Sequence, residues 1–264
     1  AEEWAERTGE PAKRLVPRMY RAGRALFEGR FDEAEARFAE APSELEPSME
    51  SMWVEMASGL TFCLRAFQGR LSEMTPLPPL ESMPSESWRQ AALERCKRMW
   101  VLHRLGNRDA ARRLLEVVVP DAVEVPVDYG RVACLVMLSV VAASLGDRGR
   151  CERLLAELEP EAGLQLQLDS LLFGCASRPL GMLARTLGRF DEAERHFEVA
   201  LDADTQIGLR PWVAETQLEY AALLLERGGS DDRRRAEALL DQACATADEL
   251  GMAKVTERAE LLRR

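Results

Sequence analysis

The chain has 264 residues and a formal net charge of −10 at pH 7, because 45 acidic side chains outnumber 35 basic ones. Hydrophobic residues make up 47% and charged residues 30%, a globular balance that excludes a disordered or collagen-like chain. The negative charge disfavours nucleic acid, RNA included, and anionic membranes as partners. The longest charge-free apolar stretch, residues 132–145, is too short to span a bilayer and predicts a buried helix.

The N-terminus carries no recognisable targeting signal. Residues 1–4 read Ala-Glu-Glu-Trp, without the basic and apolar regions of a signal peptide. We therefore expect a cytoplasmic protein. Because the first residue is not Met, we expect the chain either to be processed or, in preference, to be part of a longer one. Residues 1–10 are predicted to be a linker.

The sequence offers few candidates for catalytic residues or metal ligands. The two histidines and six cysteines show no zinc-ligand spacing, and no C-x₂-C pair occurs. The cysteines lie in helical patterns beside Ala or Leu, which favours reduced core thiols. Neither a P-loop nor a G-x-S-x-G motif is present. We expect no catalytic residue, no metal and no cofactor.

A repeat of about forty residues organises the chain. Gly29-Arg30-Phe31-Asp32-Glu33-Ala34-Glu35 returns as Gly188-Arg189-Phe190-Asp191-Glu192-Ala193-Glu194. Weaker copies begin at four further glycines, so that successive glycines stand 40, 37, 40, 42 and 40 residues apart. These glycines are Gly69, Gly106, Gly146 and Gly228. Six copies at a near-constant period predict a repeat architecture.

Each copy predicts an antiparallel pair of helices. Apolar residues at helical spacing precede the glycine, which ends the first helix in a left-handed conformation. Asp32 or Asp191 is expected to cap the second helix, with Glu35 or Glu194 completing a capping box. One pair cannot bury its apolar faces alone, so the pairs must stack.

Three segments depart from this pattern. Residues 75–84 are rich in proline and predict either a shortened helix with a surface loop or a segment that contacts a partner. Residues 117–129 carry Pro120 and Pro126 among valines and predict an extended connection between units three and four. Residues 253–264 predict a capping helix whose polar outer face carries Lys254, Glu257 and Arg258.

The small and large positions of units five and six resemble the tetratricopeptide repeat (TPR) family. They are Leu180, Gly181, Ala184, Ala193, Phe197 and Ala200, then Tyr220, Ala221, Leu224, Ala236, Leu240 and Ala243. The resemblance implies an all-α, right-handed α-solenoid of about six TPR-like helix pairs over residues 11–252. Residues 188–252 are similar to the C-terminal repeats of large bacterial signalling ATPases fused to nucleotide-cyclase, kinase or LuxR-type regulator domains.

The resemblance also implies a concave groove lined by the first helix of each pair. Its groove positions fall here on Met19, Cys96, Trp100, His103, Arg104, Arg178, Met182, Arg185 and Glu215. Cys175 takes a further position in unit five. Arg178 and Arg185 are expected either to pair with a partner's carboxylates or to form a solvated stripe. Trp100 and Trp212 are interpreted either as exposed anchors or as residues buried between repeats.

These expectations favour a non-catalytic interaction and regulatory module. Its partner would be a protein or peptide in the groove, or another domain of its own parent chain, and self-association stays open. The parent would be a bacterial cytosolic signalling or transcription-regulating ATPase that carries its own catalytic domain. The alternative is a solenoid that binds a small-molecule effector and switches its parent. The fold does not exclude an enzyme, but the sequence indicates no residue as a nucleophile or general base.

Overall fold

A computed structural model of the chain describes residues 11–39, 47–74, 88–123, 129–168 and 171–264. Within these ranges the helices are α1 (Pro11–Phe27), α2 (Phe31–Ala39), α3 (Pro47–Gln68), α4 (Trp88–Arg104), α5 (Arg108–Val123), α6 (Tyr129–Leu145), α7 (Arg148–Leu158), α8 (Ser177–Thr186), α9 (Phe190–Gln206), α10 (Arg210–Arg227), α11 (Asp232–Leu250) and α12 (Ala253–Arg263). Short 3₁₀ turns follow α3 at Leu71–Glu73 and α7 at Glu159–Glu161. The predicted all-α solenoid is confirmed. The expected linker over residues 1–10 and the proline-rich residues 75–84 lie outside the described ranges.

The repeat glycines end the first helix of each pair, as predicted. All six have a positive φ, between 69° and 86°. At Gly29 the amide of Arg30 donates to the Ala25 carbonyl at 2.8 Å and the Gly29 amide donates to the Leu26 carbonyl at 3.1 Å. This is the Schellman arrangement, which satisfies two carbonyls that the helix end would leave without partners.

The predicted capping boxes at Asp32 and Asp191 are wrong. Helix α9 begins at Phe190, so Asp191 lies inside the first turn, and no side chain caps the helix at Arg189. Glu194 instead accepts hydrogen bonds from Arg227, Tyr220 and Arg235. Burial alone would raise the pKa of Glu194, but these hydrogen bonds outweigh it and hold that pKa at about 2.

The capping box predicted at Asp32 is wrong for the same reason. Helix α2 begins at Phe31, so Asp32 also lies in the first turn rather than at the N-cap. The Glu35 carboxylate pairs with Arg65 of α3. In both repeats the glutamate therefore ties one pair of helices to the next, because an arginine competes better for it than a backbone amide does.

A β-hairpin interrupts the helices before α8, where a helix was expected. Strands β1 (Gln165–Leu168) and β2 (Leu171–Cys175) pair in antiparallel fashion, with Gln165 opposite Cys175. The Asp204 carboxylate fastens the hairpin to α9 by accepting from the Cys175 amide at 3.0 Å and from Gln165 Nε2 at 2.9 Å. The expected groove position of Cys175 is therefore wrong. Gly174 has a φ of 75°, which a helix cannot accommodate.

Residues 117–129 do not form the expected extended connection throughout. Helix α5 continues to Val123 and contains Pro120. A proline so close to a helix C-terminus removes one backbone hydrogen bond without ending the helix. Pro126 lies outside the described residues.

The first repeats pack against the last ones. The Phe67 ring of α3 lies edge-on to the Trp212 ring of α10, with 4.9 Å between centroids. One buried apolar cluster joins Leu26 and Phe67 to Trp212, Ala247 and Met252. The solenoid thus closes on itself, with its first and last repeats in contact.

The larger apolar core surrounds α6, whose residues 132–145 form the buried helix that the sequence predicts. None of the six cysteines forms a disulfide bond, and five of them are buried. Burial raises the pKa of Cys63 and of Cys151 to about 12. Among the described helices, none has the length and apolarity needed to cross a membrane.

Gly181 offers a test of the packing between α8 and α9. A β-carbon at this position would lie 2.8 Å from the fully buried Phe197 ring. We expect Gly181→Ala to lower the free energy of unfolding by about 1–3 kcal/mol in denaturant titrations. Gly149 is the matched control, because a β-carbon there meets nothing closer than 3.8 Å. Gly149→Ala should leave stability unchanged or raise it by about 0.5 kcal/mol. Equal effects of the two changes would contradict this packing.

Candidate functional site

The inner helices of the closed solenoid surround a cavity of ≈ 670 Å³. Helices α4, α6, α8 and α10, each the first of its pair, supply most of the wall, and α12 supplies a further side. The end of α3 and the 3₁₀ turn after it complete the wall at Ala66 and Leu71. A cavity of this size is typical of ligand sites in proteins.

Seven of the nine predicted groove residues line this cavity. They are Trp100, His103, Arg104, Arg178, Met182, Arg185 and Glu215. The structure therefore brings together residues that lie as much as 115 positions apart in the sequence. Their part in binding a partner stays a prediction.

Met19 and Cys96 do not face the cavity, so their predicted groove positions are wrong. Met19 is 2% exposed and belongs to the apolar cluster of the first repeats. Cys96 is fully buried in the larger core with Met99. Each lies on the helix face that packs against neighbouring helices, where an apolar side chain gains most from burial.

Five charged residues of the wall were not predicted from the sequence, and one of them is Arg108 at the start of α5. Glu219 follows Glu215 by one helical turn and lies on the same face of α10. Lys254, Glu257 and Arg258 come from α12, whose charged side was expected to face outward. The i, i+4 spacing of the two glutamates was a usable signal, whereas the orientation of α12 depends on contacts distant in sequence.

Two buried glutamates of α10 form ion pairs with arginines of the cavity wall. Glu215 is 5% exposed and accepts from Arg104 Nη1 at 2.8 Å. Glu219 is 3% exposed and lies 3.0 Å from Arg185 Nη1 and 2.7 Å from Arg258 Nη2. Buried carboxylates require such partners, because an unpaired buried charge is strongly unfavourable.

The arginines keep both glutamates ionised. Burial by itself would raise the pKa of Glu219, but Arg258 and Arg185 outweigh burial and hold that pKa at about 2. The pKa of Glu215 is lowered in the same way, since Arg104 and Arg178 oppose the effect of burial. The ion pairs therefore persist throughout the physiological pH range.

Two tryptophan rings contribute to the apolar part of the wall. Trp100 and Trp212 are 7% and 3% exposed, so they are buried residues between repeats rather than exposed anchors. The Arg104 guanidinium lies 5.7 Å from the centroid of the Trp100 ring, and that of Arg178 lies 4.6 Å from the centroid of the Trp212 ring. These stacked pairs orient the two guanidinium groups.

Arg178 and Arg185 differ in their surroundings. Arg185 pairs with Glu219 and also lies 3.2 Å from Glu226. Arg178 is 5% exposed, which makes a solvated charged stripe wrong for this residue. Burial lowers the pKa of Arg178, against the opposing charges of Glu215, Asp204 and Glu219.

A separate group of possible metal ligands lies outside the cavity. One ligand atom each from Glu159, Glu192 and His196 falls within 4.8 Å of the others. His196 Nε2 lies 3.5 Å from a Glu159 carboxylate oxygen, and because burial lowers the pKa of His196 this contact is an ion pair only when the imidazole is protonated. Structural zinc sites have four ligands, mostly Cys and His, whereas this group offers three ligands of which one is a histidine.

The fold is the feature that comparison with known proteins establishes. No protein-family model matches the chain, and no curated protein matches it. The chain is similar to the crystal structure of a Rap protein complexed with Competence and Sporulation Factor, with a TM-score of 0.56 and 12% identity. The match covers 92% of this chain and 68% of that chain. The chain has a TPR-like helical-repeat fold.

The pKa of His103 is sensitive to the positive charges of the cavity wall. Burial and the neighbouring Arg104 and Arg258 lower its pKa to about 4. In an NMR titration of the two histidines we expect His103 to stay neutral down to about pH 4. Arg258→Met should raise this pKa, because it removes a cation that repels the imidazolium. Arg234→Met, on the outer surface of α11, should leave it unchanged. A His103 pKa near 6.5 would contradict the arrangement.

Proposed function

We propose that the chain is a non-catalytic regulatory module that binds a segment of a peptide or protein partner in the cavity. The observation that carries the proposal is the convergence of the first helices of the repeats, together with α12, on one charged and aromatic space. The Rap protein of similar fold was crystallised with a factor bound, which supports this use of the fold.

The wall of the cavity suits a peptide. Arginine donors such as Arg104 and carboxylate acceptors such as Glu215 lie beside the Trp100 and Trp212 rings. A peptide offers amide donors, carbonyl acceptors and side chains along its whole length, and it can satisfy such a mixed wall at several points.

A non-catalytic role is supported by the state of the nucleophile candidates near the cavity. Ser144 Oγ lies 3.2 Å from His103 Nδ1, but its proton has a closer acceptor in the Val141 carbonyl at 2.8 Å. With a pKa of about 4, His103 is a weak base at neutral pH. The buried Cys63 thiol, with a pKa of about 12, is a poor nucleophile.

The finer proposal concerns the parent protein. We infer that the module is the C-terminal sensor or scaffold region of a bacterial cytosolic signalling or transcription-regulating ATPase, on the similarity of residues 188–252 to such repeats. The coding sequence upstream of Ala1 tests this inference. An NTPase, cyclase, kinase or DNA-binding motif there would support it, and a start codon adjacent to Ala1 would contradict it.

Photo-crosslinking with a pool of randomised peptides tests binding in the cavity. We expect crosslinks on α4, α6, α8, α10 and α12, located by mass spectrometry. Ala143 lines the cavity, so Ala143→Phe should fill part of it and reduce the crosslinking yield about tenfold or more. Val117 is 58% exposed on α5 and does not line the cavity, so Val117→Phe is the matched control. Crosslinks confined to other surfaces, or equal yields from both variants, would contradict the proposal.

A small-molecule effector is the second candidate, and the volume of the cavity favours it equally. A metabolite set in a thermal-shift assay separates the two, because a bound ligand raises the melting temperature by mass action. A shift with a metabolite that Ala143→Phe abolishes, without any peptide crosslinks in the cavity, would favour the effector.

A further inference from the structure

The cavity carries a surplus of positive charge, although the chain as a whole is acidic. Six cationic side chains line it against three carboxylates. The cations are Arg104, Arg108, Arg178, Arg185, Lys254 and Arg258. A cavity with one dominant sign of charge concentrates ligands of the opposite sign.

Each of the three carboxylates of the wall forms an ion pair with one or two of the six cations. Glu215 pairs with Arg104, and Glu219 is shared by two arginines. Glu257 pairs with Lys254 at 2.7 Å. Among the described residues, no carboxylate oxygen lies within 4.0 Å of the two remaining cations, Arg108 and Arg178.

The two remaining cations are not equivalent. Arg108 is exposed and donates to the Ser144 carbonyl at 2.9 Å. Arg178 is 5% exposed, and its Nε is buried without a hydrogen-bond partner in the part of the chain that the structure describes. Its Nη1 lies 3.8 Å from the Met182 sulfur, which is a weak acceptor. A buried guanidinium with unmet donors is costly unless an anion completes it.

We propose that the cavity receives a carboxylate of the bound peptide and that Arg178 is the residue that binds it. This inference rests on the proposed function and names the chemistry of the partner. The carboxylate belongs either to an Asp or Glu side chain or to the free C-terminus of the peptide. Both present the same two oxygens to a guanidinium fork.

The surroundings of Arg178 favour a carboxylate over a doubly charged phosphate. Glu215, Glu219 and Asp204 are close enough to act on the charge of Arg178, so they also repel an incoming anion. A singly charged group meets less of this repulsion than a dianion does. Stacking on Trp212 holds the guanidinium in place before the ligand arrives, which reduces the entropy lost on binding.

The experiment compares hexapeptide pools that differ only in their carboxylates. One position is fixed as Glu or Gln, and the C-terminus is either free or amidated, while the remaining positions are randomised. We expect at least one carboxylate-bearing pool to bind about 10- to 100-fold more tightly than the pool with Gln and an amidated end. The fixed Glu and the free end identify the source of the carboxylate.

Variants assign the effect to Arg178. Arg178→Met should abolish the preference, and Arg178→Lys should retain part of it because a point charge lacks the planar fork. Arg234→Met is the matched control, since Arg234 lies exposed on α11 and should leave the preference intact. Circular dichroism and melting temperatures verify that the variants fold.

A second measurement uses the wild-type chain without a peptide, so it does not depend on whether a variant folds. Sodium glutarate is titrated into the wild-type chain while the Nε–H signal of Arg178 is followed by NMR, with sodium chloride at equal ionic strength as reference. We expect a saturable shift with glutarate only.

The outcomes separate the two proposals. Peptide binding without a carboxylate preference, or with an equal preference in Arg178→Met, overturns the role of Arg178 and leaves the proposed function standing. A glutarate shift without binding of any pool supports the carboxylate site and overturns the peptide function. No binding and no shift overturns both.

Discussion

The ion pair between Arg104 and Glu215 is the interaction on which the closed form of the solenoid depends. It joins α4 to α10 across 111 positions of the chain, with 2.8 Å between nitrogen and oxygen. The second nitrogen of the same guanidinium donates to the Ala66 carbonyl at 3.0 Å, which ties in the end of α3. One side chain therefore links the second, third and sixth repeats, and the cavity exists because these repeats meet.

Helix α10 explains why the centre of the molecule is polar. Residues 214–224 of this helix are all buried, including Glu215 and Glu219. Carboxylates buried in this way must recruit cations from the surrounding helices, and α4, α8 and α12 supply them. Arginine accumulates around α10 as a result, and Arg178 is the buried member that no carboxylate pairs. A structural requirement thus produces a cavity that is chemically suited to an acidic ligand.

The sequence predicted the features that depend on local chemistry. Positive φ at Gly29 and its equivalents follows from one residue type at a fixed period, whereas the groove positions were implied by the resemblance to the TPR family. The hairpin was missed because its alternation of Leu164, Leu166 and Leu168 with glutamines is short, and because it lies where a repeat was expected. Closure through Phe67 and Trp212, and the inward side of α12, depend on contacts between distant repeats that no local pattern encodes.

A double-mutant cycle on Arg104 and Glu215 tests the closed solenoid most directly. Arg104→Met, Glu215→Met and the double variant are compared by equilibrium unfolding in denaturant. We expect a coupling energy of about 1–3 kcal/mol, because each single change leaves the other charge without its partner in a largely buried site. Arg24 and Glu28 form an exposed pair within one repeat and serve as the reference, for which nearly additive effects are expected. Additive effects of Arg104→Met and Glu215→Met, within about 0.5 kcal/mol, would contradict the account.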